Sequence, residues 1–225
     1  MKKLLLASAA LVAMTIAANA DVFIGASTGG PITTLAANPG STASVSGAAI
    51  NGFTINGTVF QFPVPDLLDG NTITVRGLSS GGSVDVWVSA TNNGFGPFGF
   101  QTFESSFTTN LQNAGLTVTA LTFIDNTNSI FGTQQSLSTG GPFVSPGNFT
   151  SVGFTPGNTG SGLYSLTEEW QITAAPGCTG PCNVNATTDI ASVPGPIVGA
   201  GLPGLVVACG GLLALARRRR RQLVA

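Results

Sequence analysis

The chain has no histidine among its 225 residues. That absence removes the commonest general acid–base group and the nitrogen ligand of most transition-metal sites. Positive charge is nearly as scarce. Lys2, Lys3 and Arg217 to Arg221 sit at the two ends and leave Arg76 alone between them. Against that one cation stand nine carboxylates: Asp21, Asp66, Asp69, Asp85, Glu104, Asp125, Glu168, Glu169 and Asp189. The stretch between the ends therefore carries a net charge of −8, against −1 for the whole chain. A body so poor in Lys and Arg is not built to bind nucleic acid, whose phosphates demand them. A convincing helical period is also missing from it.

Two short patterns that could carry chemistry fail on the same absences. Gly25-Ala26-Ser27-Thr28-Gly29 fits G-x-S-x-G, but a nucleophile elbow needs a histidine to take the serine proton. Gly199-Ala200-Gly201-Leu202-Pro203-Gly204 fits G-x-G-x-x-G, but it lies in an apolar run with no strand before it. Glu168 and Glu169 are adjacent; neighbours on a strand point to opposite faces and cannot flank one bond as a glycosidase pair does. Glu168 reads as a rim carboxylate of a sheet. Asp66, Asp69 and Asn71, and Asp125, Asn126 and Asn128, offer oxygens that calcium would accept, yet neither set has EF-hand spacing. Both read as turn-forming Asx residues. No catalytic residue, metal site or cofactor is expected, and the chain is not expected to be an enzyme.

The ends are informative. Lys2-Lys3, an apolar run from Leu4 to Ala18 and the small-x-small site Ala18-Asn19-Ala20 have the layout of a secretory signal peptide, 1–20. At the other end Ile197 to Ala216 is 20 residues without a charge, the length a helix needs to cross the hydrocarbon core. Arg217, Arg218, Arg219, Arg220 and Arg221 follow at once and should stay on the cytoplasmic side. The expected topology is an exported body on a C-terminal transmembrane helix.

Val193-Pro194-Gly195-Pro196, the Gly-rich apolar segment 197–216 and the arginine cluster 217–221, in that order, resemble the PEP-CTERM class of sorting signals. Gly195 stands where the usual motif of that family has Glu. The resemblance covers 193–225 and implies a processing partner, a membrane-embedded exosortase that cuts near the proline motif. It also implies a route: inner-membrane anchoring through the C-terminal helix, then cell surface or extracellular release, in bacteria that make extracellular polysaccharide.

The body, 21–192, suits one domain. "SVDVWVSA", "LYSLTEEWQIT" and "GLTVTALTFID" alternate with period two, and "GFTINGTVFQF" and "NTITVRGL" are further strand candidates. "FESSFTT" and "TSVGFT" are weaker ones. Gly/Pro/Asn/Ser turns separate them. These signals predict an all-β fold, an antiparallel β-sandwich of seven to nine strands, Ig-like or jelly-roll-like, with a loosely ordered opening from Gly25 to Ala49. Cys178 and Cys182 in "GCTGPC" are expected to form a small disulfide loop in an oxidising compartment.

Together these readings predict a non-enzymatic cell-surface or matrix protein, associated with exopolysaccharide or biofilm. The alternative is a carbohydrate-binding β-sandwich module with Trp87, Phe95 and Phe98 as the glycan-binding face.

Overall fold

The computed structural model describes residues 20–62, 66–77, 81–94, 99–111, 114–176, 178 and 182–193, with Asp66, Asn71 and Thr72 described by backbone alone. The expected signal segment up to Asn19, Phe95, Phe98, Pro194, Gly195, Pro196, the expected span 197–216 and Arg217 to Arg221 lie outside the described residues.

Period-two burial organises the body into twelve strands. They are β1 (Val22–Ser27), β2 (Thr33–Asn38), β3 (Thr42–Ile50), β4 (Phe53–Phe60), β5 (Asp66–Gly77), β6 (Gly82–Asn93), β7 (Phe100–Leu111), β8 (Leu116–Asp125), β9 (Gln135–Val144), β10 (Gly147–Asn158), β11 (Tyr164–Ala174) and β12 (Cys182–Val193). The first sheet runs β2-β1-β6-β11-β8-β9 and the second β10-β7-β12-β5-β4-β3, with every pairing antiparallel. The sheets stack so that β1 faces β3 and β4, β6 faces β5, β11 faces β12, β8 faces β7 and β9 faces β10. Strands β5 to β12 thus follow jelly-roll winding, 5-12-7-10 over 6-11-8-9. Strands β1 to β4 extend both sheets on one side.

Alternation explains the core. Val84, Val86 and Val88 of β6 point inward, as do Val184, Ala186 and Ile190 of β12 and Leu116, Val118 and Ala120 of β8. Phe103, Phe107, Tyr164 and Trp170 supply the bulk. Burying each large apolar side chain stabilises by about 1.5–3 kcal/mol. Between β3 and β4, Asn51 and Gly52 both take positive φ, 43° and 86°, the two-residue hairpin that suits right-twisted strands. Ile50 then pairs with Phe53.

Two expectations need correction. Among the described residues there are twelve strands, not seven to nine, and the opening expected to be loose, Gly25 to Ala49, holds the end of β1, all of β2 and nearly all of β3. β1 lies between β2 and β6 and buries Val22, Ile24 and Ala26 completely. Gly25, Ala26 and Ser27 at its end make a weak hydrophobic pattern, and pairing on both sides compensates. The weak segments around "FESSFTT" and "TSVGFT" became the 12-residue strands β7 and β10. Outward Thr102, Ser106, Thr108 and Asn110 of β7 and Asn148 and Thr150 of β10 suit a solvated sheet face, which a hydrophobicity pattern underweights.

Cys178 and Cys182 are bonded, with Cα atoms 6.1 Å apart. Closing so short a loop stabilises by about 2 kcal/mol in the chain-entropy model. The bond holds the β11–β12 connection where Cys182 pairs with Gly77.

One close approach sets the spacing of the sheets at their centre. A Cβ on Gly70 of β5 would run into a Glu168 carboxyl oxygen and lie 2.7 Å from Trp170 Cη2 of β11. Gly70→Ala should lower stability by about 1–3 kcal/mol, read as a lower urea midpoint at unchanged m; an unchanged midpoint would show that the sheets yield there.

Candidate functional site

β11 carries two adjacent carboxylates to opposite sides of one sheet. Glu168 shares the inward face with Trp170 and Leu166 and is fully buried, so the expectation of a rim carboxylate is corrected. Its inward direction follows from Gly70 of the facing sheet, against which its carboxyl rests. Around it lies a belt of polar side chains through the interior. Thr122 of β8 is its cross-strand neighbour, and Thr122 Oγ1 and Ser105 Oγ of β7 hydrogen-bond at 2.8 Å across the sandwich. Both Glu168 oxygens, Trp170 Nε1, Tyr164 Oη and Thr188 Oγ1 are buried without a hydrogen-bond partner among the described residues.

Burial pushes the Glu168 carboxyl well above the usual carboxylate range, and the charges of Asp189 and Asp69 push it the same way. The Tyr164 phenol is raised by burial as well. A side chain with no exposed surface touches no substrate, so Glu168 is a feature of the core rather than a reactive group.

Its consequence is for stability. Folding raises this acid's pKa, so the native state binds the proton more tightly than the unfolded chain. Stability is then greatest below the unfolded value near 4.5 and falls as pH rises from there towards the folded value. Glu168→Gln should raise the melting temperature at pH 7 and leave it nearly unchanged at pH 4. Glu168→Leu should stabilise further at pH 7, by about 1–3 kcal/mol, by removing unpaired buried oxygens. A Gln effect equal at both pH values would show that the buried proton is not the cause.

Glu169 points the other way, onto the outer face of the first sheet, where its cross-strand partner is Trp87 of β6. Glu169 Oε1 accepts a hydrogen bond from Gln171 Nε2 at 2.9 Å, and Gln171 lies opposite Asp85. On the other side of Trp87 stands Gly25 of β1. The space above Gly25 is filled by Ile32 and Phe131, each 2.7 Å from where a Cβ would be. Phe131 is brought there by the 126–134 connection, which folds over this face. Its N–H donates to Ser89 Oγ at 3.2 Å, Ser165 Oγ donates to Ser129 O at 2.7 Å, and Asn128 Nδ2 donates to Asn92 Oδ1 at 2.8 Å.

The result is a half-buried indole bordered by two carboxylates and a carboxamide. Burial raises Glu169; the Gln171 hydrogen bond lowers it and Asp85 raises it. Burial also raises Asp85. Trp87 Nε1 is buried and has no hydrogen-bond partner among the described residues.

Of the expected glycan-binding residues, only Trp87 is placed. Phe100, which follows the Phe95 and Phe98 loop, opens β7 in the other sheet, so Trp87 and Phe100 share no face. Trp87 is also about 20 Å along β6 from the end of that strand. Glu169, Asp85 and Gln171 are the neighbours that sequence reading did not attach to Trp87. The signal was there as alternation in both strands, but only the register joins them.

Asp66, Asp69 and Asn71 lie within strand β5, so the expectation of a turn there is corrected; the other candidates resolve into local structure. Ser27 Oγ donates to Gly30 O at 2.7 Å and accepts from Gly29 N and Gly30 N at 3.2 Å, a hydroxyl-capped turn between two strands. Asp125 Oδ1 accepts from Thr127 N and Thr127 Oγ1 at 2.7 and 2.6 Å, an Asx turn. Among the described residues no group of three or more Cys, Asp or Glu is arranged to hold a metal.

No known family model matches the chain, and no curated protein matches it. Among solved structures it is similar to the enzymatically active domain of tailspike protein 4 of bacteriophage CBA120, at 13% identity and a TM-score of 0.33. The match covers 64% of this chain and 20% of that one, so the chain spans a fifth of that protein's length. A likeness at this score defines neither fold nor activity.

Proposed function

We propose that this chain is a non-enzymatic exported protein of the cell surface or extracellular matrix, delivered through its PEP-CTERM-like tail. The observation that supports it best is the extent of the described sandwich. β12, a strand in the middle of the second sheet, runs to Val193, the first residue of the Val193-Pro194-Gly195-Pro196 element. All twelve described strands thus precede the prolines, and a cut beside the prolines would keep them together. A disulfide between Cys178 and Cys182 accords with an oxidising compartment. In this reading the helix 197–216 anchors the precursor and an exosortase-like enzyme processes it. Extracellular polysaccharide is the implied surrounding.

Intact mass of the protein from native membranes and from the medium tests this. The released form should lack Arg217 to Arg221; a mass missing only residues 1–20 in both fractions would make the tail a plain anchor.

A second reading, a carbohydrate-binding module, is favoured by Trp87 with Asp85, Glu169 and Gln171 on one face. Indole surfaces flanked by carboxylates and amides suit the apolar faces and hydroxyls of sugars. On a glycan array, Trp87→Ala should then weaken binding about tenfold or more, roughly 1.4 kcal/mol. Binding unaffected by the substitution would remove this face from consideration.

A further inference from the structure

Both segments read as membrane-directed leave the sandwich from the same end. β1 begins at Val22, just after the expected cleavage site, and pairs there with the last turn-ward residues of β6. β6 ends at Asn93, opposite Tyr164, where β11 begins, and β11 lies over β12. β12 ends at Val193, opposite Thr102 near the start of β7. Ile197, where the apolar segment starts, is four residues past Val193, at most about 14 Å of extended chain.

The exposed apolar side chains gather at this end. Phe100 is 79% exposed at the start of β7, Leu163 47% just before β11, and Phe62 40% just after β4. Ile130 is exposed in the connection that leaves β8 there, while Phe154 and Val152 are exposed along β10, four and six residues in from that end. Among the described residues, only Val144 is an exposed large apolar side chain at the opposite end.

The end is held rigidly beneath these side chains. Asn93 Nδ2 donates to Ala90 O at 2.8 Å and to Tyr164 O at 3.2 Å, and Gln61 Nε2 donates to Phe62 O at 3.1 Å. Gly99 N donates to Thr159 Oγ1 at 2.9 Å. Two carboxylates here are turned to internal partners: Asp21 accepts from Asn92 Nδ2 at 3.0 Å, and Asp125 is nearly buried in its Asx turn; Glu104 lies opposite Phe154 on the outer face. Arg76 is at the far end of β5, by the disulfide.

Exposed apolar groups collected in this way mark a contact surface. We infer that this end of the sandwich lies against the lipid surface while the tail is in place, with Phe100, Leu163 and Phe62 entering the interfacial layer of the bilayer. The inference rests on reading 197–216 as the anchor. On that reading only three residues separate Val193 from the apolar segment, which keeps this end near the membrane, and Phe and Leu favour the boundary of headgroup and acyl chain. The attraction is apolar. A body of charge −8 gains nothing from anionic headgroups, and loss of the tail would leave too small an apolar surface to hold the body on the membrane.

The test uses the full chain reconstituted in phosphatidylcholine vesicles that carry lipid brominated high on the acyl chain. Three substitutions each add one indole: Phe100→Trp, Leu163→Trp and, at the opposite end, Val144→Trp. The emission added at 100 and 163 should be quenched at least twofold by the brominated lipid, and that at 144 not at all. If the protein floats with the vesicles and all three behave like position 144, the lipid contact is wrong and the anchor stands. If the protein does not float, the anchor reading fails and this inference fails with it. Shielding of an indole at 100 from acrylamide that grows with protein concentration in detergent would assign the patch to a second copy, and would also overturn it.

Discussion

The centre of the sandwich is organised by one contact, Trp170 and Glu168 of β11 against the bare backbone of Gly70 in β5. A large ring and a carboxyl fit between the sheets there because the facing residue has no side chain. Much else follows from that height. The Ser105–Thr122 bond can close across the core, and Phe103 and Phe107 can fill the space beside it. The jelly-roll order places each strand over its near neighbour in sequence, so the stacking distance set at β11 and β5 is passed on through the cross-sheet hairpins.

That contact also exposes a tension. Buried carboxyls are ordinarily hydrogen-bonded, yet Glu168 has only like charges near it in Asp69 and Asp189. With a single arginine in the body, no cation is at hand to settle it. Burial and those like charges both favour its protonated form instead. Scarcity of positive charge, first visible as a count, thus becomes a property of the core, and Glu169, Asp21 and Asp125 take hydrogen bonds from Gln171, Asn92 and Thr127 instead of ion pairs.

The all-β class, the alternation of β6, β8 and β11 and the short disulfide loop were legible in the chain. Strands whose outward faces are Ser, Thr and Asn were harder, because their pattern lacks contrast; β7 and β10 were underrated for that reason and β1 to β3 missed. The candidate face was half legible. Trp87 stood out as a large aromatic among polar neighbours on its strand. Its association with Phe95, Phe98 and Phe100 came from closeness in sequence, whereas Phe100 belongs to the other sheet. Glu169 was read only as the neighbour of Glu168, and its place beside Trp87 depends on the β6–β11 register.

By itself, then, the sequence determined the local matters: which segments favour extended backbone, which side chains alternate, and that nearly all the positive charge sits at the two ends. These depend on residues a few positions apart. Only the tertiary structure decided which face of β11 is interior, so that Glu168 is sealed in the core while Glu169 borders an indole. It alone gathered Phe62, Phe100 and Leu163, from three separate connections, at the end where β12 finishes. Those outcomes depend on strand register and sheet stacking, which join residues up to about a hundred positions apart through contacts that no local pattern encodes.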